Sequence, residues 1–303
     1  MKKIITIFAA LLAAAAGASA QTASSTVALG FGSLPRDVRS LSMGGMTLPD
    51  NVALLPLSSS KFDAQVSYSL WGPSSSNASG DINAAVAAKL GKRFALKAFF
   101  SYDGAQNSYT RVDEEGSASR TTFTPSDMLV GGGISFALSP DRFSLGVDVK
   151  YLKSNLSSSV SYSAAVFDIV AAAKFGGIKA AFGINSLGGK VKAAKGDAEY
   201  SLPTSLVLGG DYSLSFGKSS VCADLEMNYF FKGGLRAGIG AEYAYNDFVF
   251  ARAGYNYGGD TVLPSFFSVG AGLKIKVVTL DVTYLLGNDA VGNTLSVGLG
   301  CRF

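Results

Sequence analysis

The sequence contains no histidine, a single tryptophan, two cysteines and eight prolines, and only 16% of its residues are charged. Without histidine there is no Ser-His or Cys-His nucleophile system, no histidine metal site and no zinc-protease motif. No phosphate-binding loop of the form Gly-x4-Gly-Lys-Ser/Thr occurs, which removes the phosphate cradle of nucleotide-binding proteins. Beyond residue 20 there is no run of 18 apolar residues, so helical membrane spans are excluded. Bases and acids number 26 and 22, and no basic tract interleaved with aromatics occurs, which excludes nucleic acid as a partner. The cysteines, Cys222 and Cys301, fall on opposite faces of alternating stretches. They read as small packed residues, not as a disulfide, a metal site or a redox pair. Carboxylate pairs occur, but inside alternating stretches, where a charge network explains them more simply than glycoside hydrolysis does. The chain therefore reads as a non-enzyme with no cofactor and no bound metal.

What is abundant is glycine, 36 residues, together with 20 Phe and 13 Tyr in a chain that is 48% hydrophobic. The last ten residues show how these are arranged. Leu295, Val297, Leu299, Cys301 and Phe303 fall on one face, and Thr294, Ser296, Gly298, Gly300 and Arg302 on the other. Strict period-two alternation is the signature of a strand with one apolar and one polar face. A soluble β-sandwich or barrel would leave such a strand as an aggregation-prone edge. A closed membrane barrel would pair it with the first strand.

Residues 1–20 have the form of a secretory signal: Lys2 and Lys3, a short apolar run, then Ala18, Ser19 and Ala20 before Gln21. Its removal leaves a nearly neutral chain. Residues 21–60 do not alternate and read as an irregular plug in the barrel mouth or a periplasmic segment. From residue 61 to 303 the period is two. Strands are expected at 62–71, 81–90, 94–102, 127–138, 143–152, 162–175, 178–185, 204–213, 221–229, 235–245, 248–257, 265–276, 278–286 and 294–303. The fold class is thus all-β, a 14-stranded antiparallel transmembrane β-barrel with an N-terminal plug or periplasmic segment, an even count as single-chain bacterial barrels have. Short and long connections alternate, except that the join after the ninth strand is short where a long one is due. Outward Tyr68, Tyr102, Tyr151, Tyr229, Tyr255 and Tyr284 gather at the long-loop end, and Phe94, Phe143, Phe175 and Phe303 at the other, as two interfacial girdles. This assigns the protein to the outer membrane of a Gram-negative bacterium with both termini periplasmic. The register predicts that arginine is blocked at outward Val297 and accepted at inward Ser296.

The inward face collects the charges, in near balance of sign; on the lipid face a mid-depth Arg or Lys would cost about 2–4 kcal/mol. An ion-selective pore would show one sign in excess. The mixture instead suits ion pairs that brace the wall or hold a plug. Asp224 and Glu226 lie beside Arg236 and Glu242 on the next strand, and Lys276 is expected inward. The candidate lumen contacts for a plug or cargo are Asp224, Glu226, Arg236, Arg252 and Lys274. Phe99, Trp71, Phe248 and Phe250 are candidates for a local greasy pocket.

Arg39, Met43, Gly44 and Gly45 stand in the spacing Arg-x-x-x-Met-Gly-Gly, which resembles the opening motif of FadL-type barrels. The stretches 167–175, 182–188, 202–210 and 252–257 resemble successive strands of the PorV/PorQ family. Where that family usually shows Asn-Pro-Ala, this chain has Asn51, Val52 and Ala53. The resemblance implies a FadL-like barrel and an accessory role, shuttle or anchor, in type IX protein secretion. FadL proper implies a second reading, transport of hydrophobic small molecules, and a third is a structural barrel without transport. The partners implied are outer-membrane lipid, with secretion-system proteins or exported cargo under the first reading and a hydrophobic small molecule under the second.

Overall fold

The computed structural model describes residues 27–73, 78–112, 118–157, 160–192, 199–258, 263–288 and 291–303. The expected signal at 1–20 and the acidic run Asp113, Glu114 and Glu115 lie outside the described residues. Fourteen antiparallel strands close into a barrel. They are β1 (Phe62–Trp71), β2 (Ser79–Leu90), β3 (Phe94–Ala105), β4 (Ser126–Ser139), β5 (Phe143–Asn155), β6 (Ser161–Phe175) and β7 (Ile178–Leu187). The second half is β8 (Ser205–Phe216), β9 (Ser219–Phe230), β10 (Gly234–Tyr245), β11 (Val249–Tyr257), β12 (Phe266–Ile275), β13 (Val278–Gly287) and β14 (Leu295–Arg302). Each strand pairs with its chain neighbours, and β1 with β14 closes the ring, from Asp63 opposite Arg302 to Leu70 opposite Leu295. Lys61 N and Phe62 N both donate to Phe303 O, at 2.7 and 2.9 Å, which ties off the seam.

The alternation expresses one constraint: one face of each strand meets lipid and the other a packed lumen. Val297 and Leu299 are 40% and 52% exposed while the intervening Gly298 faces in, under the Val38 side chain. Tyr68, Tyr102, Tyr151 and Tyr229 are exposed at one rim and Phe94, Phe143, Phe175 and Phe303 at the other. At the Phe303 end the turns are tight. In the β10–β11 turn Asn246 and Asn246's neighbour Asp247 have φ of 55° and 49°, the paired left-handed residues of a type I′ hairpin. The opposite end carries the longer connections, with the single exception of residues 231–233 between β9 and β10.

Four details differ from the sequence expectation. The polar stretches after β3 and β7 contain small hairpins, Tyr109–Val112 with Ala118–Phe123 and Val191–Lys192 with Glu199–Tyr200, because short polar strands can pair outside the membrane without an apolar face. Lys276 is not a lumen residue: it occupies the β12–β13 turn with φ 58° and is exposed. Ser296 points inward as expected but is fully buried, its Oγ 2.6 Å from Ser69 Oγ, so it has no room for arginine. Residues 27–60 are not confined to one mouth. Val27 bridges to Ser201 at the long-hairpin end, and the chain then traverses the lumen to reach β1 at the Phe303 end.

Candidate functional site in the barrel lumen

The traversing segment is held in three zones. Nearest the long hairpins, Leu29 packs with Phe99, Leu129, Leu152, Val166, Val191 and Leu202 in an apolar cluster, with Phe31 and Tyr162 at its margin. Beside it Leu41 joins Trp71, Leu263, Phe266, Leu285 and Val291. Trp71 and Phe99 are therefore in separate clusters, Phe250 lines a different space near the Phe303 end and Phe248 is exposed, so among the described residues these four form no single pocket.

In the middle zone a one-and-a-half-turn helix, α1 (Val38–Ser42), starts at Asp37, whose carboxylate accepts from Ser40 N at 3.0 Å as a side-chain cap. The helix aims Arg39 at the wall. Arg39 Nε donates to Glu242 Oε2 at 2.9 Å and Nη2 to Oε1 at 3.2 Å, while Nη1 lies 3.7 Å from Asp224. Glu242 also accepts from Arg252 Nε at 2.6 Å, and Arg252 Nη1 donates to Asp281 at 2.5 Å. Arg252 reaches β13 from β11 across Gly272 of β12, where a Cβ would stand 3.0 Å from its guanidinium. The result is a chain of alternating sign from Asp224 to Asp281. Burial opposes the charge on Arg39, and Glu242 and Asp224 on the wall balance it.

Immediately after α1 the backbone itself meets the wall. Gly44, at φ 89°, lies against Gly238 and Gly254, and Met43 against Gly240; a Cβ on Gly240 would come within 2.7 Å of Met43 Cα and one on Gly238 within 2.6 Å of Gly44 O. Ser268 Oγ accepts from Gly44 N at 3.2 Å and donates to Ser42 O at 2.9 Å. The Met-Gly-Gly motif and the wall glycines are two halves of one fit.

Further along, Glu226 accepts from Thr47 N, Thr47 Oγ1 and Leu48 N at 2.8, 2.8 and 2.7 Å. Asn228 Nδ2 at 2.7 Å and Arg236 Nη2 at 3.0 Å complete its partners, Arg236 Nη1 donates to Ser33 O at 3.2 Å, and the Glu226 and Arg236 side chains are almost wholly buried. On the opposite wall Lys97 pairs with Asp50 at 2.6 Å, and Asn51 Nδ2 donates to Asp148 at 3.1 Å while Asn51 Oδ1 accepts from Ala53 N at 2.9 Å. Ala53 N would lie 2.6 Å from a Cβ on Gly146, which seats the Asn51–Ala53 stretch against β5. Lys174 Nζ donates to Leu57 O at 3.2 Å and Lys89 Nζ to Ser58 O, ending the segment at the rim.

Of the sequence candidates, Glu226 and Arg236 touch the segment directly, Asp224 faces Arg39, and Arg252 acts through Glu242. Lys274 stands apart, paired with Asp247 at 2.5 Å beside the turn. Arg39, Glu242, Lys97, Asp50, Asn51 and Asp148 complete the arrangement. Below the segment, toward Phe303, a cavity of about 830 Å³ is lined by charges including Lys179, Asp211, Asp224, Glu242, Arg252 and Asp281. Asp211, Cys222 and Asp224 bring ligand-type atoms within 4.8 Å of one another, but Lys179 and Arg39 already neutralise the two carboxylates. Chemically the site is a lock between a segment and a wall, ionic in its middle and apolar at both ends, where Leu48, Ala53 and Leu57 pack on Val170, Ala172, Ala181 and Val207 as Leu29 packs at the other end.

No protein-family model matches the chain, and no curated protein matches it in sequence. Solved structures do. The toluene transporter TbuX of Ralstonia pickettii aligns over 90% of this chain and 100% of its own, with a TM-score of 0.61 and 16% identity. The P. putida toluene transporter TodX aligns over 89% and 99% with a TM-score of 0.61 and 12% identity. CymD, a monoaromatic hydrocarbon channel, aligns over 89% and 98% with a TM-score of 0.59 and 11% identity. At these identities the likeness shows the fold: a 14-stranded barrel of the outer-membrane kind.

Proposed function

We propose that this protein is a FadL-like outer-membrane channel for small hydrophobic molecules, and that residues 27–60 are its closed gate. The observation that carries the reading is the layered lumen. An apolar cluster of Leu29, Phe99, Leu129, Leu152 and Val166 lies toward the long hairpins, and an open cavity lined by charges and by Leu54, Leu55 and Leu57 lies toward Phe303, with the segment between them. A hydrophobic solute entering from the long-hairpin side would exchange for the segment's own apolar side chains. The full-length alignment with hydrocarbon channels supports the same reading. In this proposal residues 1–20 are removed as a signal, the short-turn end with Phe303 faces the periplasm, and the protein transfers solute without catalysing a reaction.

The test is uptake of a radiolabelled monoaromatic hydrocarbon at limiting concentration by cells with and without the protein. Faster uptake that saturates supports the channel. Equal uptake, with the protein shown to be in the outer membrane, overturns it.

A second reading follows the resemblance to PorV/PorQ proteins: an accessory shuttle or anchor in type IX secretion. It draws on how firmly the segment is locked, through Arg39, Thr47, Leu48 and Asn51, which suits a barrel that binds other proteins and conducts nothing. Affinity purification from outer membranes separates the two. Secretion components or exported cargo in the eluate favour the second reading, and bound hydrophobic molecules favour the first.

A further inference from the structure

The tight turns at the Phe303 end carry charge mostly of one sign. Lys92 and Arg93 lie between β2 and β3, Arg142 between β4 and β5, Lys218 between β8 and β9, and Lys276 between β12 and β13; all are exposed. Against them stand Asp141 and Asp247, and Asp247 is already paired with Lys274. At the opposite end the exposed lysines of the small hairpin, Lys190 and Lys192, are both neutralised by Glu199, at 2.9 and 3.4 Å.

Each basic turn is also flanked by an outward apolar residue. Leu90 and Phe94 bracket Lys92 and Arg93, Phe143 follows Arg142, Phe216 precedes Lys218, and Ile275 and Val277 bracket Lys276, all of them exposed. The Arg93 guanidinium lies 5.9 Å from the centroid of the Phe136 ring, on the outer face of the barrel. The Phe94 and Phe136 rings are 5.0 Å apart and the Phe143 and Phe175 rings 5.4 Å apart, so the phenylalanine girdle runs directly into the basic turns. A girdle of this kind marks the edge of the hydrocarbon layer. Long cationic side chains just beyond that edge reach the headgroup region.

We infer that these turns form a ring that binds the phosphates of anionic phospholipid headgroups around the short-turn end of the barrel. A soluble acidic partner would use the bases facing away from the wall. The continuity of the bases with the lipid-facing aromatics, and Arg93 lying on Phe136, place them at the lipid boundary instead. Lys and Arg near such a surface are drawn to anionic lipid through unscreened charge. The ring gives the barrel a preferred lipid at one interface, independent of what passes through the lumen.

The experiment reconstitutes the full barrel in phosphatidylcholine vesicles carrying spin-labelled phosphatidylglycerol or spin-labelled phosphatidylcholine, and compares the motionally restricted fractions. Phosphatidylglycerol is expected to be favoured by roughly threefold at low salt. The preference is expected to fall toward unity at about 1 M salt, where the screening length is about 3 Å. It is expected to vanish when Lys92, Arg93, Arg142, Lys218 and Lys276 are all replaced by Gln, and to survive Lys190→Gln with Lys192→Gln. Equal association of the two lipids overturns the inference, as does a preference that persists after the five substitutions or in high salt. Binding of a soluble polyglutamate probe to the ring without lipid preference overturns it in favour of an acidic protein. If the five-fold variant does not fold, the salt titration of the unaltered protein decides.

Discussion

Arg39 and Glu242 are 203 positions apart, yet two hydrogen bonds at 2.9 and 3.2 Å clamp the guanidinium of the traversing segment onto β10. A bidentate Arg–carboxylate pair fixes orientation as well as distance. Removing the arginine leaves buried Asp224 without its cation, while Glu242 keeps Arg252. Arg39→Ala is expected to lower stability by about 3–5 kcal/mol, the penalty for an uncompensated buried charge. Arg39→Lys, which keeps the charge and loses the fork, is expected to fall between. The measurement is urea unfolding from lipid vesicles, followed by the loss of the compact form on unheated gels.

The backbone fit at Gly240 gives a steric test. A methyl there meets the main chain of Met43, which has no rotamer to change. Gly240→Ala is expected to displace the segment and cost about 1–3 kcal/mol as overpacking. Gly189→Ala, where nothing lies within 4 Å, is expected to be neutral. Protease cleavage within residues 27–60 of the folded barrel reads the displacement: cleavage in the first variant and protection in the second.

Glu226 holds the segment through three donors, so its charge matters beyond its shape. Glu226→Gln keeps the volume but turns one acceptor into a donor and leaves Arg236 without its carboxylate, holding only Ser33 O. Single-channel recordings in planar bilayers are expected to show openings in this variant and a closed unaltered protein. A variant as quiet as its parent would show that Glu226 does not hold the gate.

The register is tested by arginine on either face of the wall. Val297→Arg points into lipid and is expected to cost about 2–4 kcal/mol and to block assembly. Ser220→Arg points into the charged cavity below the segment and is expected to assemble. Folding into vesicles, scored by gel mobility, distinguishes them.

The wall was legible because lipid on one side and a packed lumen on the other impose period two on every strand, and strand directions followed from that. Lys276 was misplaced because alternation continues into a tight turn, where a left-handed φ redirects the side chain. Ser296 is inward as the period requires, but the period does not reveal whether an inward residue faces space or the segment. The lock itself was only half visible. Asp224, Glu226, Arg236 and Arg252 stand out as inward charges. Their partners do not, because Thr47 N, Leu48 N and Ser33 O are main-chain groups without a sequence signature. Gly238 and Gly240 in an otherwise regular strand, together with Met43, Gly44 and Gly45, were the available signal for the backbone contact.

The short connection at 231–233 has a mechanical consequence. With the tight turns on either side of it, β8 to β11 form one unbroken meander with no long loop at either end, and these are the staves that carry Glu226, Arg236, Glu242 and Arg252. The facing staves, β3 to β6, carry longer hairpins and hold the segment through Lys97, Ser144 and Asp148. There a cavity of about 40 Å³ lies between segment and wall, lined by Arg36 and Asp148, and buried atoms of both, Arg36 Nε and Asp148 Oδ1, have no hydrogen-bond partner. The proposed gate is thus held on both arcs, and on the β3-to-β6 side its close packing leaves one buried polar group of the segment and one of the wall unmatched.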